Sequence, residues 1–356
     1  AFNCFSKASG LHMNKLKSNF YCNGMTQATI DHVTHFTGIT RGHLPFIYLG
    51  INISPKRLSV KDCNGLVDKL TSRIRGIGFR KLSYVGRTIL IRSVLSTLHS
   101  YWARIFIIPI TVIKKIEAIC RRFLWSGQAS GDRMALVAWE SICKPRKQGG
   151  LDIRDFQKWN IAAIAKYVWW ISEKKDNLWV KWVHSIYIKQ GEWRNYEPGS
   201  NSSWAWRKIC QVKNTVKQFL FHEDGGSKTM DYSMKMGYDW INGVSEQTDW
   251  WPWLYNKWIY PKHRFIIWIL AHQRLLTGAR MKHLNMKTSG NCYICDEELE
   301  TINHLFSRCR YNRSIFKEIG NWCDIQLPVE ESITWWLQYR ERAATKKKIV
   351  GIILAT

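Results

Sequence analysis

Three cysteines and one histidine lie close together in the stretch GNCYICDEELETINHLFSRCR, which runs from Gly290 to Arg310. Their spacing is C-x2-C-x8-H-x4-C, formed by Cys292, Cys295, His304 and Cys309. Zinc binds four nitrogen or sulfur donors at tetrahedral corners, and two short-spaced pairs joined by a turn supply such donors. Because side chains would fill all four positions, the pattern predicts a structural zinc ion rather than a catalytic one.

Two other interpretations of these residues stay open. One is a chance cluster of buried cysteines. The other is a redox pair of Cys292 and Cys295, which would need neither His304 nor Cys309. The zinc interpretation carries local expectations. Asp296 follows the second cysteine and tolerates the left-handed backbone often needed there, and the stretch EELETINHLFSRC is typical of a short helix with an acidic start.

The charge of the chain is strongly one-sided. It has 53 Lys and Arg against 27 Asp and Glu, a formal net charge of +26 and a pI of about 9.8. Such an excess indicates a polyanionic partner, most often nucleic acid. A basic surface without a function is the alternative.

Cysteine usage and hydropathy bear on location. The ten cysteines include six that are widely scattered, and no secretion signal is apparent. We therefore expect free thiols in a reducing compartment, the nucleus or the cytoplasm, and not a secreted protein. Lys and Arg interrupt every apolar run, so no membrane span is expected. The chain opens on Ala1 and ends within an apolar run, and we expect a fragment of a longer reading frame.

Periodicity predicts a mainly α chain with a small α/β segment at the start. Phe2 and Phe5 are spaced as on a helix, Asn23-Gly24 signals a hairpin, and LPFIYLGINIS has strand composition. After Pro55 the apolar spacing becomes helical. Ser59 with Asp62 forms a capping-box pattern. The apolar positions are Leu66, Leu70, Ile74 and Ile77 in one helix, Leu90, Val94, Leu98 and Tyr101 or Trp102 in a second begun by Ser83, and Val112 or Ile113, Ile116, Cys120 and Phe123 in a third from Pro109 to Ser126-Gly127.

The polar faces of these three helices are nearly all basic, whereas a solvated face normally mixes signs. The sequence therefore favours contact with phosphates over simple solvation. The basic positions are Lys61, Lys69, Arg73, Arg75, Arg80, Lys81, Arg87, Arg92, Arg104, Lys114, Lys115, Arg121 and Arg122, and the acids are Asp62, Asp68 and Glu117.

Tryptophan dominates the next part of the chain. Residues 159–206 have helical periodicity and eight Trp, for which core packing is expected. Glu223 to Lys228 has the composition of an internal boundary. A helix is predicted from Pro261 through Leu275, just before the Cys/His cluster.

Several of these stretches together resemble the C-terminal half of a plant non-LTR (LINE-type) retrotransposon reverse transcriptase. SGLHMNKLKS resembles the segment after the catalytic Asp pair, and YLGI (Tyr48 to Ile51) the primer-grip turn. LSYVGRTILIRSVLSTLHSYW and IEAICRRFLWSG resemble the thumb helices, and WESICKPRKQGGLDIRDFQKWNIAAIAKYVWW the link that follows. YPKHRFIIWILAHQRLLTGARM with the Cys/His cluster is similar to the reverse-transcriptase zinc-binding domain and is the most specific match.

The resemblance implies an RNA-directed DNA polymerase that uses two Mg²⁺ ions held by carboxylates. The family's adjacent Asp pair does not occur in this sequence and is expected upstream, so no catalytic residue is assigned and activity of this chain alone is not expected. The resemblance implies that Lys17 lies near nucleotide phosphates, that Tyr48, Leu49 and Gly50 form the primer grip, and that Cys292, Cys295, His304 and Cys309 bind zinc. A surface lysine and a plain strand turn are the alternatives at the first two places.

The resemblance divides the chain into five parts: a palm remnant at 1–55, a basic helical thumb at 56–150, a Trp-rich connector at 151–227, a zinc-binding domain at 228–325 and a truncated helical tail at 326–356. The implied function is to hold RNA and DNA, as template and primer, during target-primed reverse transcription, with the upstream palm and fingers as partners. The predicted nucleic-acid contacts are Lys17, Tyr48, Leu49, Gly50, Arg73, Arg75, Arg80, Lys81, Arg87 and Arg92. A stand-alone zinc-binding adaptor for protein interaction and a non-functional retroelement fragment remain alternatives.

Overall fold

The structure, a computed structural model, describes residues 2–22, 24–54, 56–76, 82–130, 134–221, 231–243, 246–255 and 259–324. Helices predominate among these residues, and the paired strands lie near the N-terminus, so the predicted fold class is confirmed. The chain divides into two compact units, Ala1–Cys63 and Asn64–Thr356. Within the described residues, no helix has both the length and the apolar composition that crossing a membrane requires.

The first unit contains a small parallel strand pair. β1 pairs in parallel with β2, with Asn19 opposite Thr40, and the helix α2 connects them. The expected hairpin at Asn23-Gly24 is therefore wrong, and Asn23 itself lies outside the described residues. Parallel strands need a crossover connection, and Thr26 caps α2 by accepting a hydrogen bond from the Thr29 backbone N–H. The elements are α1 (Phe2–Ser9), a 3-10 turn (Lys15–Lys17), β1 (Asn19–Phe20), α2 (Gln27–Thr37) and β2 (Thr40–Arg41).

A hairpin follows in the same unit, as the strand composition of LPFIYLGINIS predicts. β3 (Phe46–Tyr48) pairs antiparallel with β4 (Ile51–Ile53). The two-residue turn between them consists of Leu49 at φ 50° and Gly50 at φ 79°. Positive φ at both central residues is the type I′ geometry that suits the twist of a hairpin.

The second unit opens with the three helices that the apolar spacing predicts. They are α3 (Asn64–Gly76), a long helix formed by α4 (Tyr84–Leu90), a π segment (Ile91–Leu95) and α5 (Ser96–Ala103), and α6 (Ile110–Ser126). Leu66, Leu70 and Ile74 are buried on α3 as predicted, whereas Ile77 lies outside the described residues. The Ser59–Asp62 capping box forms, with Asp62 Oδ2 accepting from the Ser59 N–H at 2.8 Å, but the helix itself begins later, at Asn64.

The buried face of the long helix differs from the predicted one. Leu90, Val94 and Leu98 are half-buried, and Ile91 and Leu95 take the fully buried positions instead. Polar side chains share this face because they donate to carbonyls of their own helix, as Thr88 and Ser96 do at 2.8 Å each. Their hydroxyls are thus satisfied inside the core.

The Trp-rich part packs as a helical core, as predicted. α8 lies against both α10 and α11, and Trp169, Trp193 and Trp206 are among the buried residues. The expected boundary at Glu223 to Lys228 lies outside the described residues. The elements are α7 (Trp139–Cys143), a 3-10 turn (Arg146–Gln148), α8 (Phe156–Ser172), α9 (Leu178–Val183) continued by a π segment (His184–Ile188), a 3-10 turn (Trp193–Asn195), α10 (Trp204–Leu220) and α11 (Met234–Asn242).

The last described part holds α12 (Trp251–Leu254), α13 (Pro261–Ala271), α14 (Gly278–His283), a π turn (His304–Arg308) and α15 (Arg310–Cys323). The predicted helix 261–275 ends earlier, at Ala271, because Gln273 takes a positive φ of 57°. The predicted tail 326–356 lies outside the described residues.

Gly149 joins the turn before α8 to α13. Its carbonyl accepts hydrogen bonds from Trp268 Nε1 at 2.7 Å and from His272 Nε2 at 2.8 Å. The next residue, Gly150, must also lack a side chain, since a Cβ there would lie 1.8 Å from the Lys144 carbonyl oxygen. A Cβ at Gly149 would lie 3.0 Å from the Trp250 ring, so the Gly-Gly pair lets this turn approach both its own chain and Trp250 closely.

Candidate metal centre

The four predicted zinc ligands converge on one point. One ligand atom from each of Cys292, Cys295, His304 and Cys309 lies within 4.8 Å of all the others. Cys295 Sγ and His304 Nε2 are 3.2 Å apart. Tetrahedral zinc at its usual bond lengths separates its sulfur ligands by about 3.8 Å. The donor set and its spacing therefore fit a zinc ion.

The first two ligands lie on a tight knuckle. Asn291 and Leu299 form an antiparallel bridge, and the Cys292 N–H donates to the Glu298 carbonyl at 2.9 Å. The Asp296 N–H returns to the Cys292 carbonyl at 2.8 Å. Asp296 takes φ 56°, which confirms the left-handed backbone predicted for it.

A π turn holds the other two ligands. It spans His304–Arg308, and the Cys309 N–H donates to the His304 carbonyl at 2.7 Å. The expected helix with an acidic start is wrong in its first part. Residues 297–300 form the returning arm of the bridge with Asn291 instead, since the knuckle uses their backbone groups for its own hydrogen bonds.

Glu298 positions the histidine ligand, a role that the sequence reasoning missed. Its Oε2 lies 3.0 Å from His304 Nδ1, and the His304 side chain is almost fully buried. A carboxylate on the second ring nitrogen fixes the tautomer and the ring orientation of a metal-binding histidine. Nε2 is then the nitrogen that faces the sulfurs. The acidic residues beside the cysteines were the feature of the sequence that could have indicated this role.

Glu300 fastens the knuckle to the helix before it, and it was also missed. The side chain is buried. Its carboxylate accepts from the Gly278 N–H at 2.8 Å and from the Tyr293 N–H at 3.4 Å. The knuckle and the start of α14 are thus held by one buried acid.

The thiols differ in their electrostatics. A hydrogen bond from the Glu297 backbone N–H, aided by His304, lowers the pKa of the Cys295 thiol to about 7. Burial raises the pKa of the Cys292 thiol. Thiolate is the form that binds metal, and with four donors present no position is left for substrate. The arrangement suits a structural ion.

The predicted nucleic-acid contacts of the first unit are exposed. Lys17 lies on the 3-10 turn that Asn14 caps. Tyr48 and Leu49 project from the hairpin and are 61% and 72% exposed. Gly50 completes the turn.

The predicted nucleic-acid contacts of the second unit differ in how exposed their side chains are. Arg73 and Arg75 are exposed on α3, while Arg80 and Lys81 lie outside the described residues. Arg92 is half-buried and forms an ion pair with Asp152.

Arg87 differs from the surface position expected for it. It is 8% exposed, and its Nη1 donates to the carbonyls of Leu124 at 3.1 Å and Trp125 at 3.4 Å. A guanidinium at the C-terminal end of a helix satisfies otherwise unpaired carbonyls. Arg87 therefore serves the fold of α6 in this structure.

Comparison with known proteins agrees with this site. Residues 232–316 match the family described as zinc-binding in reverse transcriptase. The chain is 26% identical over 208 residues to a "putative ribonuclease H protein" of Arabidopsis thaliana, covering 57% of this chain and 30% of that protein. It is 27% identical over 113 residues to an uncharacterized mitochondrial protein of the same plant, covering 32% of this chain and 73% of that protein.

The chain thus spans less than a third of the first of these relatives. The family match begins at Tyr232, takes in α13 and all four ligands, and ends within α15 at Phe316. The predicted resemblance to a reverse-transcriptase zinc-binding domain is confirmed over residues 232–316, in a chain that is similar to plant proteins.

Proposed function

We propose that the chain is the zinc-binding, nucleic-acid-binding C-terminal part of a retrotransposon RNA-directed DNA polymerase. Its role is to hold RNA and DNA as template and primer in target-primed reverse transcription. The observation that carries the proposal is the four-ligand site of Cys292, Cys295, His304 and Cys309 inside the matched segment.

The surface of α3 and α6 supports nucleic-acid binding. The two helices pack against each other, and their exposed charges are mostly positive. Asp68 is an exposed acid there, whereas Glu117 is half-buried and burial raises its pKa to about 7, so its negative charge is weakened near neutral pH. Phosphates are the natural counterpart of such a surface. Its exposed cations are Lys69, Arg73, Arg75, Lys114, Lys115, Arg121 and Arg122.

The zinc ion braces this part of the chain in the proposal. With four protein ligands it would supply no open position, and Glu298 and Glu300 would hold the ligands and the knuckle in place. Polymerisation would require the Mg²⁺-binding carboxylates of the palm, which we expect from the rest of the intact element. The palm and fingers are then its protein partners.

The stand-alone adaptor has less support. It would use the acidic run beside the cysteines to face a basic partner. Glu300 is buried and Glu298 is paired with His304, so two of the acids in that run serve the zinc site instead.

The proposal is tested by fluorescence anisotropy of the full chain with single-stranded RNA, duplex DNA and an RNA–DNA hybrid. Binding should weaken steeply between about 50 and 200 mM salt, as contacts to several phosphates require. Replacing both Arg73 and Arg75 by Gln should lower the slope of log K against log salt by about two. Replacing Arg207 and Lys208 on α10 by Gln is the matched control and should leave it unchanged. Binding that is absent, or flat across this salt range, contradicts the proposal.

A further inference from the structure

A pocket of about 250 Å³ lies between α4 and the pair of helices α12 and α13. Its apolar lining comes from four separate stretches of chain: α4, the loop before α8, α12 and α13. The apolar residues are Val85, Ile89, Leu151, Leu254, Phe265 and Trp268. Leu254, Phe265 and Trp268 are each at most 4% exposed, so they form a floor that is already packed in place.

Arginines surround this apolar floor. Arg92, Arg146 and Arg264 all line the pocket. Arg146 is exposed and the other two are half-buried. Arg264 donates from Nη2 to the Ile259 carbonyl at 3.2 Å, so Arg146 is the most accessible of the three. Arg92 is paired with Asp152. The pocket therefore combines buried apolar side chains with positively charged ones.

Tyr255 lies at the centre of the arginines. The Arg146 guanidinium is 4.9 Å from the centre of its ring and that of Arg264 is 5.7 Å away. Its hydroxyl donates to the Gly150 carbonyl at 3.1 Å, which fixes the ring against the Gly-Gly turn. Two guanidiniums are thus held beside an aromatic ring with fixed orientation.

We propose that this pocket binds one unstacked nucleobase of a single nucleic-acid strand, with Arg146 on the adjoining phosphate. This inference rests on the proposed function and specifies the part of the nucleic acid that the pocket binds. Pockets for drug-sized ligands run from about 300 to 1,000 Å³, so this smaller one suits a single ring system. A nucleobase has apolar faces, and the phosphate attached to it suits the planar donors of arginine.

A nucleotide fits these charges better than a peptide side chain does. An aromatic side chain would fill the floor but would bring no anion to the exposed Arg146 unless an acidic residue followed it. In a single strand, every base has a phosphate on each side. Base stacking on protein aromatics also tolerates any sequence, which a template-holding surface requires.

The test uses the full chain and a single-stranded oligonucleotide that contains 5-iodouracil. Ultraviolet cross-linking followed by mass spectrometry should place the base on the peptides that contain Tyr255 or residues 261–268. Ile89→Trp should fill the pocket, and Ile89 is exposed enough at 56% to accept the change. It should remove this cross-link and lower the affinity for the single strand about tenfold, within the range for losing one stacked base. Arg146→Gln should lower the same cross-link.

Ile266→Trp is the matched control, since Ile266 is 45% exposed on α13 and does not line the pocket. Uridine monophosphate should compete for the cross-link. If the strand binds but its cross-links map only to α3 and α6, or if Ile89→Trp behaves like the control, the pocket proposal is overturned while the proposed function stands. Competition by N-acetyl-phenylalanyl-aspartate and not by the nucleotide would also overturn it in favour of a peptide ligand. If no strand binds at any salt concentration, the proposed function itself is contradicted.

Discussion

The guanidinium of Arg87 occupies the space that a side chain at Gly127 would need. A Cβ on residue 127 would lie 2.9 Å from Arg87 Nη2 and 3.0 Å from its Cζ. Gly127 ends α6 with a φ of 76°, and Arg87 donates to two of the last carbonyls of that helix. The glycine and the arginine thus end α6 together.

Replacing Gly127 with Ala should destabilise the protein by about 1–2 kcal/mol, because Ala is strained at this φ and its methyl group would displace Arg87. Thermal unfolding measures the loss. Gly65→Ala is the control, since a Cβ at Gly65 on α3 meets nothing within 4 Å and Ala favours a helix. Equal melting temperatures for Gly127→Ala and the wild-type chain would show that Arg87 does not depend on the glycine.

Metal analysis of the purified chain should find close to one zinc ion, because the described residues place four donors around a single point. Cys309→Ser should lower this ratio, and a strong chelator should lower the melting temperature of the wild-type chain, since zinc binds only the folded site. A wild-type chain that contains no zinc and melts alike with and without chelator would argue against the metal centre.

Glu298→Gln should weaken zinc binding about tenfold, the lower end of the range for losing a carboxylate that orients a ligand. Competition with a chromophoric chelator measures the change. Glu297→Gln is a close control, because the Glu297 side chain instead forms an exposed ion pair with Arg310 at 3.2 Å and its backbone N–H is unchanged. The same loss in both variants would point to local charge in general and not to the contact with His304.

His99→Leu should make the chain less sensitive to acid. His99 is fully buried, and its ring nitrogens have no hydrogen-bond partner among the described residues. Burial, helped by the charge of Arg154, lowers its pKa to about 3. His99 of the unfolded chain then binds a proton near pH 6.5, whereas His99 of the folded chain does not. The free energy of unfolding therefore falls as the pH falls from 6.5 toward 3.

Between pH 7 and pH 5 the wild-type chain should lose about 2 kcal/mol through His99. Urea unfolding at both pH values, compared between the two proteins, measures this difference. If the two stabilities fall in parallel, His99 is already protonated in the folded chain or is accessible to water.

Lys213→Met should cost about 3 kcal/mol, the scale of hydrogen bonds lost from a buried charged donor. The Lys213 Nζ donates to the carbonyls of Trp193 and Arg194 at 3.3 Å each and to that of Tyr196 at 2.5 Å. The substitution removes this donor from all three carbonyls, of which that of Trp193 still accepts from the Tyr196 N–H. Lys217→Met, one turn along α10, should cost far less. Urea denaturation of both variants compares them, and similar losses would indicate an effect of α10 composition alone.

The zinc ligands were predictable from the sequence because their spacing is short and their chemistry is specific. The same holds for α6, where apolar residues recur at helical spacing between Pro109 and Gly127. Both features depend on residues close together in the sequence, and the structure shows in addition which other residues contact them.

Other features depend on contacts between distant residues, which spacing does not contain. Nothing near Asn19 indicates that its strand pairs in parallel with Thr40. Arg87 was grouped with surface cations because its charge is visible in the sequence, whereas the carbonyls of Leu124 and Trp125 that receive it are not. The buried face of the long helix is hard to recognise in the sequence because it contains polar residues such as Ser96, whose hydroxyl donates to a carbonyl of its own helix.

The π turn at the metal centre makes chain length itself part of the site. The Cys309 N–H reaches back five residues to the His304 carbonyl, so the four residues between the ligands are the number that this wider turn contains. Adding one residue to this turn would rotate Cys309 by about a quarter of a circle away from the other ligands, whereas removing one would favour an α-helical turn, in which residues four apart again share a face. Point substitutions between the two ligands can be absorbed by the side chains, but an insertion there would separate a ligand from the site.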